Sequence, residues 1–345
     1  KASPLLKDKL QETGTGANVA ARILQAKDAV QFNHATPSSY PVGVAGDTVL
    51  LDWEPSGVLT LHGSGTIDDV KLYNVIAHFT SGENTSAGVE FRIQDPLSLS
   101  PNAAGLFWHW KGTITGTEKL DTSNVIDMSY MFNGAENIQI DVSTWDTSNV
   151  TAMDRMFQNN LVNNPDVSGW NTSKVTSMNG IFYYAASASP DVSSWDTRNV
   201  VDMSNLFRFA FKANPDVKNW DVSNLKYVVA MFEGNKSAYP DFSNWVAPAL
   251  LTGTNASQPL DINSDRALAI MGVEHTAQLR SAHGTTINSE PQEPQENSSD
   301  TDSTSTVTEA SATPKTKSFP VIPVILALLL AFSGVALALS TTLQI

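Results

Sequence analysis

Residues 141–157 read Asp141-Val-Ser-Thr-Trp145-Asp-Thr-Ser-Asn-Val150-Thr-Ala-Met153-Asp-Arg-Met156-Phe157, and most of this string returns at a spacing of 25 residues. Trp145, Trp170, Trp195, Trp220 and Trp245 keep that register, as do Phe132, Phe157, Phe182, Phe207 and Phe232. So do Asp141, Asp166, Asp191, Asp216 and Asp241. Self-similarity at a fixed period of this length is the signature of a repeat architecture. One such unit has too little core to bury its apolar face alone, so neighbouring copies must stack with equivalent residues above one another. The tryptophans and phenylalanines are therefore expected to form internal ladders. The Asp-Thr-Ser-Asn between Trp and Val is turn chemistry. The stretch ending in Asp-Val-Ser-x-Trp reads as a short strand, and Val-x-x-Met-x-x-Met/Leu-Phe as an extended start leading into a helical or 3₁₀ turn.

The run Leu120-Asp-Thr-Ser-Asn-Val-Ile-Asp-Met-Ser-Tyr-Met-Phe132, followed by Asp141-Val-Ser-Thr-Trp-Asp-Thr-Ser-Asn-Val150, resembles the bacterial surface-protein repeat of BspA-like leucine-rich-repeat proteins. The resemblance covers residues 120–246. It implies a leucine-rich-repeat-like solenoid of adhesive or otherwise interactive character, exposed on a bacterial cell surface, membrane- or wall-anchored. It names no ligand.

Around this array the chain divides by composition. Residues 1–39 form an N-terminal segment whose positions 17–32 carry apolar residues at helical spacing. Residues 40–119 read as a β-rich cap. Its expected strands are 48–53, 58–61, 74–79 and 89–93, and it includes a degenerate first coil at 97–120, because Leu106-Phe107 precedes Met131-Phe132 by one period. Residues 247–287 are a C-terminal cap or linker. Residues 288–318, made largely of Ser, Thr, Pro, Glu and Asp, have almost nothing to bury and read as a disordered stalk. Within 319–341, the uncharged run 321–339 is about 28 Å long as a helix, close to a hydrocarbon core of about 30 Å. It is expected to be a transmembrane or sorting helix. The fold class is thus α+β: a leucine-rich-repeat-like solenoid with a β-rich cap, stalk and membrane helix.

The chain of 345 residues has net charge −14 and no cysteine. That charge opposes binding to nucleic acid, which rewards clustered Lys and Arg. None of the six histidines falls inside the five repeats, so no nucleophile–histidine pair can be assembled there. The chain is read as non-enzymatic, with no catalytic residues and no cofactor. A cell-wall hydrolase would need a convergent acid pair in the β-rich region. The Trp108-His109-Trp110 cluster reads as packing. The aspartate columns could hold calcium, but each acid is better explained as an acceptor within its own turn, and no metal site is assigned.

The expected function is adhesion or recognition of a host, matrix or neighbouring-cell macromolecule, with a passive surface spacer as the alternative. Ladder positions must stay apolar, so specificity falls to columns that vary between coils. Just after the phenylalanine these read Gln158, Tyr183, Arg208, Glu233 and Asn159, Tyr184, Phe209, Gly234. Tyr183, Tyr184, Arg208 and Phe209 are therefore the candidate ligand-binding residues, a combination enriched at interface hot spots.

Overall fold

The computed structural model describes residues 32–80, 86–250 and 265–273. The expected helix before residue 32, the stalk and the membrane or sorting helix lie outside the described residues. Among the described residues no helix is long and apolar enough to cross a membrane.

The N-terminal region is a five-stranded sheet in the order β1-β2-β3-β4-β6. Strands β1 (Ser38–Pro41), β2 (Leu50–Glu54) and β3 (Val58–His62) pair antiparallel, whereas β3 with β4 (Glu90–Ile93), and β4 with β6 (Thr113–Thr115), pair parallel. The strands alternate, so that Leu51, Trp53, Leu59, Leu61, Phe91 and Ile114 are buried while their neighbours along the strand are not. The expected strand at 74–79 is instead the last half of helix α1 (Asp69–Thr80). Two features decide this. Asp68 accepts hydrogen bonds from the backbone N–H groups of Val70 and Lys71, both at 3.1 Å, and so caps the helix start. In addition, the parallel partners β3 and β4 cannot be joined by a tight turn and need a crossover. Leu72, Tyr73, Val75, Ile76 and Phe79 are buried at helical spacing, and they share one hydrophobic cluster with the sheet and the array.

Strands β5 (Leu97–Ser98) and β7 (Leu120–Asp121) pair in parallel and begin the stack of coils. From there a column of single parallel bridges, Asn102–Asp127–Ala152–Ser177–Asp202–Tyr227, advances one period at each step. The first coil is thus present, with Phe107 stacked on Phe132 at 5.6 Å and 6°. The phenylalanine ladder continues through Phe157, Phe182, Phe207 and Phe232 at 5.6–5.8 Å between ring centroids. Trp170, Trp195, Trp220 and Trp245 stack beside it at 6.3–6.5 Å. Each indole N–H finds a carbonyl one coil back, as Trp195 does on Val167 at 3.2 Å and Trp245 on Val217 at 2.7 Å. The tryptophans can therefore be buried without an orphan donor.

The expected strand before each tryptophan is a turn. The Trp145 N–H donates to Val142 in its own coil, because Asp141 Oδ1 accepts both the backbone N–H and the hydroxyl of Ser143 and folds the chain back on itself. No 3₁₀ or α-helix follows Val-x-x-Met in the described coils. There, alternate N–H groups point to the next coil: Met128 donates to Ala152, Tyr130 to Asp154, Phe132 to Met156 and Gly134 to Gln158. Two left-handed residues per coil, such as Tyr130 (φ 58) and Gly134 (φ 70), make that alternation possible and exclude a helix.

After the last coil, helix α2 (Asp265–Met271) closes the stack. The carbonyls of Ile270 and Met271 accept the N–H groups of Ala230 and Phe232, at 2.7 and 2.8 Å. A helix end with unused carbonyls meets a coil end with unused N–H groups.

Candidate recognition face

The left-handed positions shape the face of the array. One column, two residues after each phenylalanine, holds His109, Gly134, Asn159, Tyr184, Phe209 and Gly234, and every one has φ between 54 and 71°. Glycine and asparagine suit this conformation. The two aromatic residues sit on adjacent coils, and backbone bonds fix their register: Tyr184 N–H donates to the Arg208 carbonyl and Phe209 N–H to that of Glu233.

The structure brings all four sequence-predicted residues together. Tyr184 and Phe209 stack at 4.6 Å and 25°. Tyr183 lies 4.9 Å from Tyr184 and 6.4 Å from Phe209. The Arg208 guanidinium sits 5.4 Å from the Tyr183 ring centroid and 5.3 Å from that of Phe209, a cation–π arrangement. Glu233 holds it with an ion pair at 2.9 Å, and Asn205 Oδ1 accepts from Nη1 at 3.3 Å. The four side chains are half-buried, neither core nor free. Burial pushes the Tyr184 phenol above its ordinary pKa, with Tyr183 adding to this and Arg208 opposing it, so the hydroxyl stays neutral at physiological pH.

Three features of this face were not singled out in the sequence. Glu233 is the clamp for Arg208. Phe211, 46% exposed, meets Phe209 edge to face at 6.3 Å. Leu161 and Val162, in the coil before Tyr183, are also exposed. Leu161, Ala186 and Phe211 share one coil position, and reading that further column would have found them.

The aspartate columns are occupied by their own turns. Asp141, Asp166, Asp191, Asp216 and Asp241 each accept the backbone N–H two residues ahead. Asp121, Asp146, Asn171, Asp196 and Asp221 do the same in the second column. Asn171 replaces an acid there without loss, as expected for a turn acceptor.

Asp154 is different, because burial pushes its pKa up and Asp202 and Asp127 add to the rise. Its Oδ1 is engaged by Ser177 Oγ at 2.6 Å and Asn179 N–H at 3.1 Å, while Asp202 receives Asn179 Nδ2 at 3.0 Å and Ser204 N–H at 2.7 Å. These bonds tie the acids into the wall of the array. A surface recess of about 370 Å³ lies on the tryptophan side, lined by Trp220, Asp221, Asn244 and Val246 among others.

His109 and Trp110 take packing roles. Trp110 is fully buried between Phe91 and Phe107 and donates to Thr113, and the His109 ring lies over Gly134.

The array is similar to one family of unknown function. The model described as "Mycoplasma protein of unknown function, DUF285" matches residues 102–191 and again 160–257. The first match begins at Asn102, where the column of bridges starts, and so takes in most of the degenerate first coil. No curated protein and no solved structure matches the chain.

Proposed function

We propose that the DUF285 array is a non-enzymatic recognition module that holds a macromolecular ligand against Tyr183, Tyr184, Arg208 and Phe209. The observation that carries this is the placing of two aromatic residues in left-handed backbone. Such a conformation costs a non-glycine residue about 1–2 kcal/mol, and their mutual stacking returns about 0.5–1.5 kcal/mol. Across two residues that cost comes to about 2–4 kcal/mol, more than the single stack returns. What remains is partial burial of rings left open on one side, and Gly134, Asn159 and Gly234 close the same turn without it. Strain kept where a simpler residue suffices is the mark of a surface retained for contact.

The motif supports a leucine-rich-repeat-like coil of the BspA-like surface type, and the uncharged run 321–339 supports membrane anchoring with the array outside the cell. Adhesion to a host, matrix or neighbouring-cell macromolecule is the role that fits both.

The test is a Tyr184→Gly/Phe209→Gly double variant, in which both residues become the one the slot already holds elsewhere. Its melting temperature should stay within a few degrees of wild type. Binding to an immobilised panel of matrix proteins and glycans should fall at least ten-fold. Equal binding by the two proteins would move recognition off this face, and no binding by either would favour a passive spacer.

A further inference from the structure

A second construction of the same kind precedes the recognition face along the array. Tyr130, Arg155 and Gly180 share one coil position, with φ of 58, 55 and 62°. They repeat the order of Tyr184, Phe209 and Gly234: two bulky left-handed residues, then a glycine. The Arg155 guanidinium lies 5.9 Å from the centroid of the Tyr130 ring. Its stem passes over Gly180, where an added β-carbon would come 3.2 Å from Arg155 Cγ and 3.5 Å from Tyr183 Cβ. Gly180 is thus the seat of Arg155, and it brings that stem beside Tyr183, the first residue of the face.

Arg155 is positioned by left-handed backbone that its side chain disfavours, by a glycine seat and by an aromatic ring. Among the described residues it makes no ion pair, whereas Arg92, Arg198 and Arg208 are paired with Glu90, Asp196 and Glu233. It is also half-buried. A guanidinium in that setting has given up part of its hydration, and a ring returns less of it than an anion does. Its planar fork of donors matches a carboxylate bidentately.

Given the recognition reading above, we propose that Arg155 is the anion-reading residue of that face. It takes the carboxylate of an acidic sugar in a linear glycan whose further units lie along Tyr183, Tyr184 and Phe209. Arg155 serves one anionic group, and a chain of net charge −14 repels a polyanion at long range. The coil steps from Phe157 to Phe182 and on to Phe207 are 5.7 Å each, close to the length of one sugar unit. An extended peptide repeats its same-side residues at about 6.7 Å and drifts out of register over the two steps from Arg155 to Phe209. Tyrosine joins an apolar ring to a neutral hydroxyl, which suits the mixed C–H and hydroxyl surface of a sugar.

The test is an array of linear oligosaccharides in pairs, each acid form beside its carboxyl-reduced alcohol, probed with the full chain. At least one acid form should bind roughly ten-fold tighter than its reduced partner, as one charge-assisted pair warrants. Arg155→Met keeps the stem over Gly180 and removes the fork. It should bind both members of that pair alike, with a melting temperature within a few degrees of wild type. Arg155→Lys should restore only part of the difference, because an ammonium is a point charge. Wild type that binds no member of the array, or that ignores the carboxyl group, overturns the assignment. An Arg155→Met variant that keeps the preference, or binding confined to sulfated chains or to peptides, overturns it too. The Tyr184→Gly/Phe209→Gly result above is read without reference to Arg155, so the recognition face can stand when this assignment falls.

Discussion

Phe209 and Gly234 hold the same position in adjacent coils, and a β-carbon on Gly234 would come within 2.2 Å of two ring carbons of Phe209. His109 and Gly134 repeat the relationship at the other end of the array. In this column a bulky left-handed residue thus takes a glycine in the next coil as its seat, and where the next residue is also aromatic, as at Tyr184 and Phe209, the two rings stack instead. Gly234→Ala should therefore cost more than its own left-handed strain of about 1–2 kcal/mol, because Phe209 must also move, at about 1–3 kcal/mol for overpacking. Chemical denaturation should register a loss of about 2–5 kcal/mol, and pairing the change with Phe209→Gly should recover most of the second part. If the single and double variants are equally destabilised, the ring does not occupy that seat.

The pH response separates two kinds of aspartate. Asp121, Asp141, Asp146, Asp191 and Asp221 all have pKa values held below 3.8 by bonds from the serine two residues ahead. A depressed carboxyl adds stability that is present above the unfolded pKa and disappears as pH falls through the folded one. Asp154 has the opposite sign. Its folded pKa is raised, so it contributes most favourably when protonated and weakens the fold as pH climbs past 3.8 through its folded value. Asp154→Asn keeps an oxygen to accept from Ser177 and Asn179 and removes the buried charge. It should raise the melting temperature near neutral pH, with the gain shrinking toward pH 3. A gain independent of pH would assign the effect to something other than ionisation.

Much of this architecture was legible because the repeat prints its own packing. A column of identical large residues at one spacing, such as the phenylalanines, has only one way to be buried by stacking, and the variable columns next to it fall on the surface by elimination. The local conformation was less legible. Tyr130 and Tyr184 sit in left-handed backbone, which their side chains disfavour, so propensity pointed away from the answer; only Gly134, Asn159 and Gly234 in register hinted at it. The segment 74–79 misled for another reason. Val75, Ile76 and Phe79 are common in strands, and what made them helical was the Asp68 cap and the parallel pairing of β3 with β4, which no short window contains.

Trp195 tests the cooperation between coils. It is nearly fully buried, stacks on Trp170 and Trp220, and donates to Val167 in the coil before. Trp195→Ala removes both contacts and leaves the Val167 carbonyl without its indole partner, so a loss of about 3–5 kcal/mol is expected. Stability in such stacks is a sum over neighbours. Hydrogen exchange should therefore quicken in the coils of Trp170 and Trp220, with a smaller effect at Trp245. Damage confined to one coil would mean that the coils fold independently.

The closing helix α2 makes the last case. The N–H groups of Ala230 and Phe232 belong to the final coil, where no further coil accepts them, and the carbonyls of Ile270 and Met271 do so in its place. Ala267, Leu268 and Met271 are buried in the same core. Without α2, these two donors exchange their carbonyl acceptors for water and the last coil loses its apolar cover. A chain ending at residue 250 should accordingly unfold first from its last coil, with Trp245 becoming accessible to acrylamide quenching well before Trp170. Met271→Ala, which leaves the backbone carbonyl in place, should produce only the packing loss of about 2–5 kcal/mol and keep the Ala230 N–H protected from exchange. If truncation and Met271→Ala expose that amide equally, the cap acts through its side chains and not through its carbonyls.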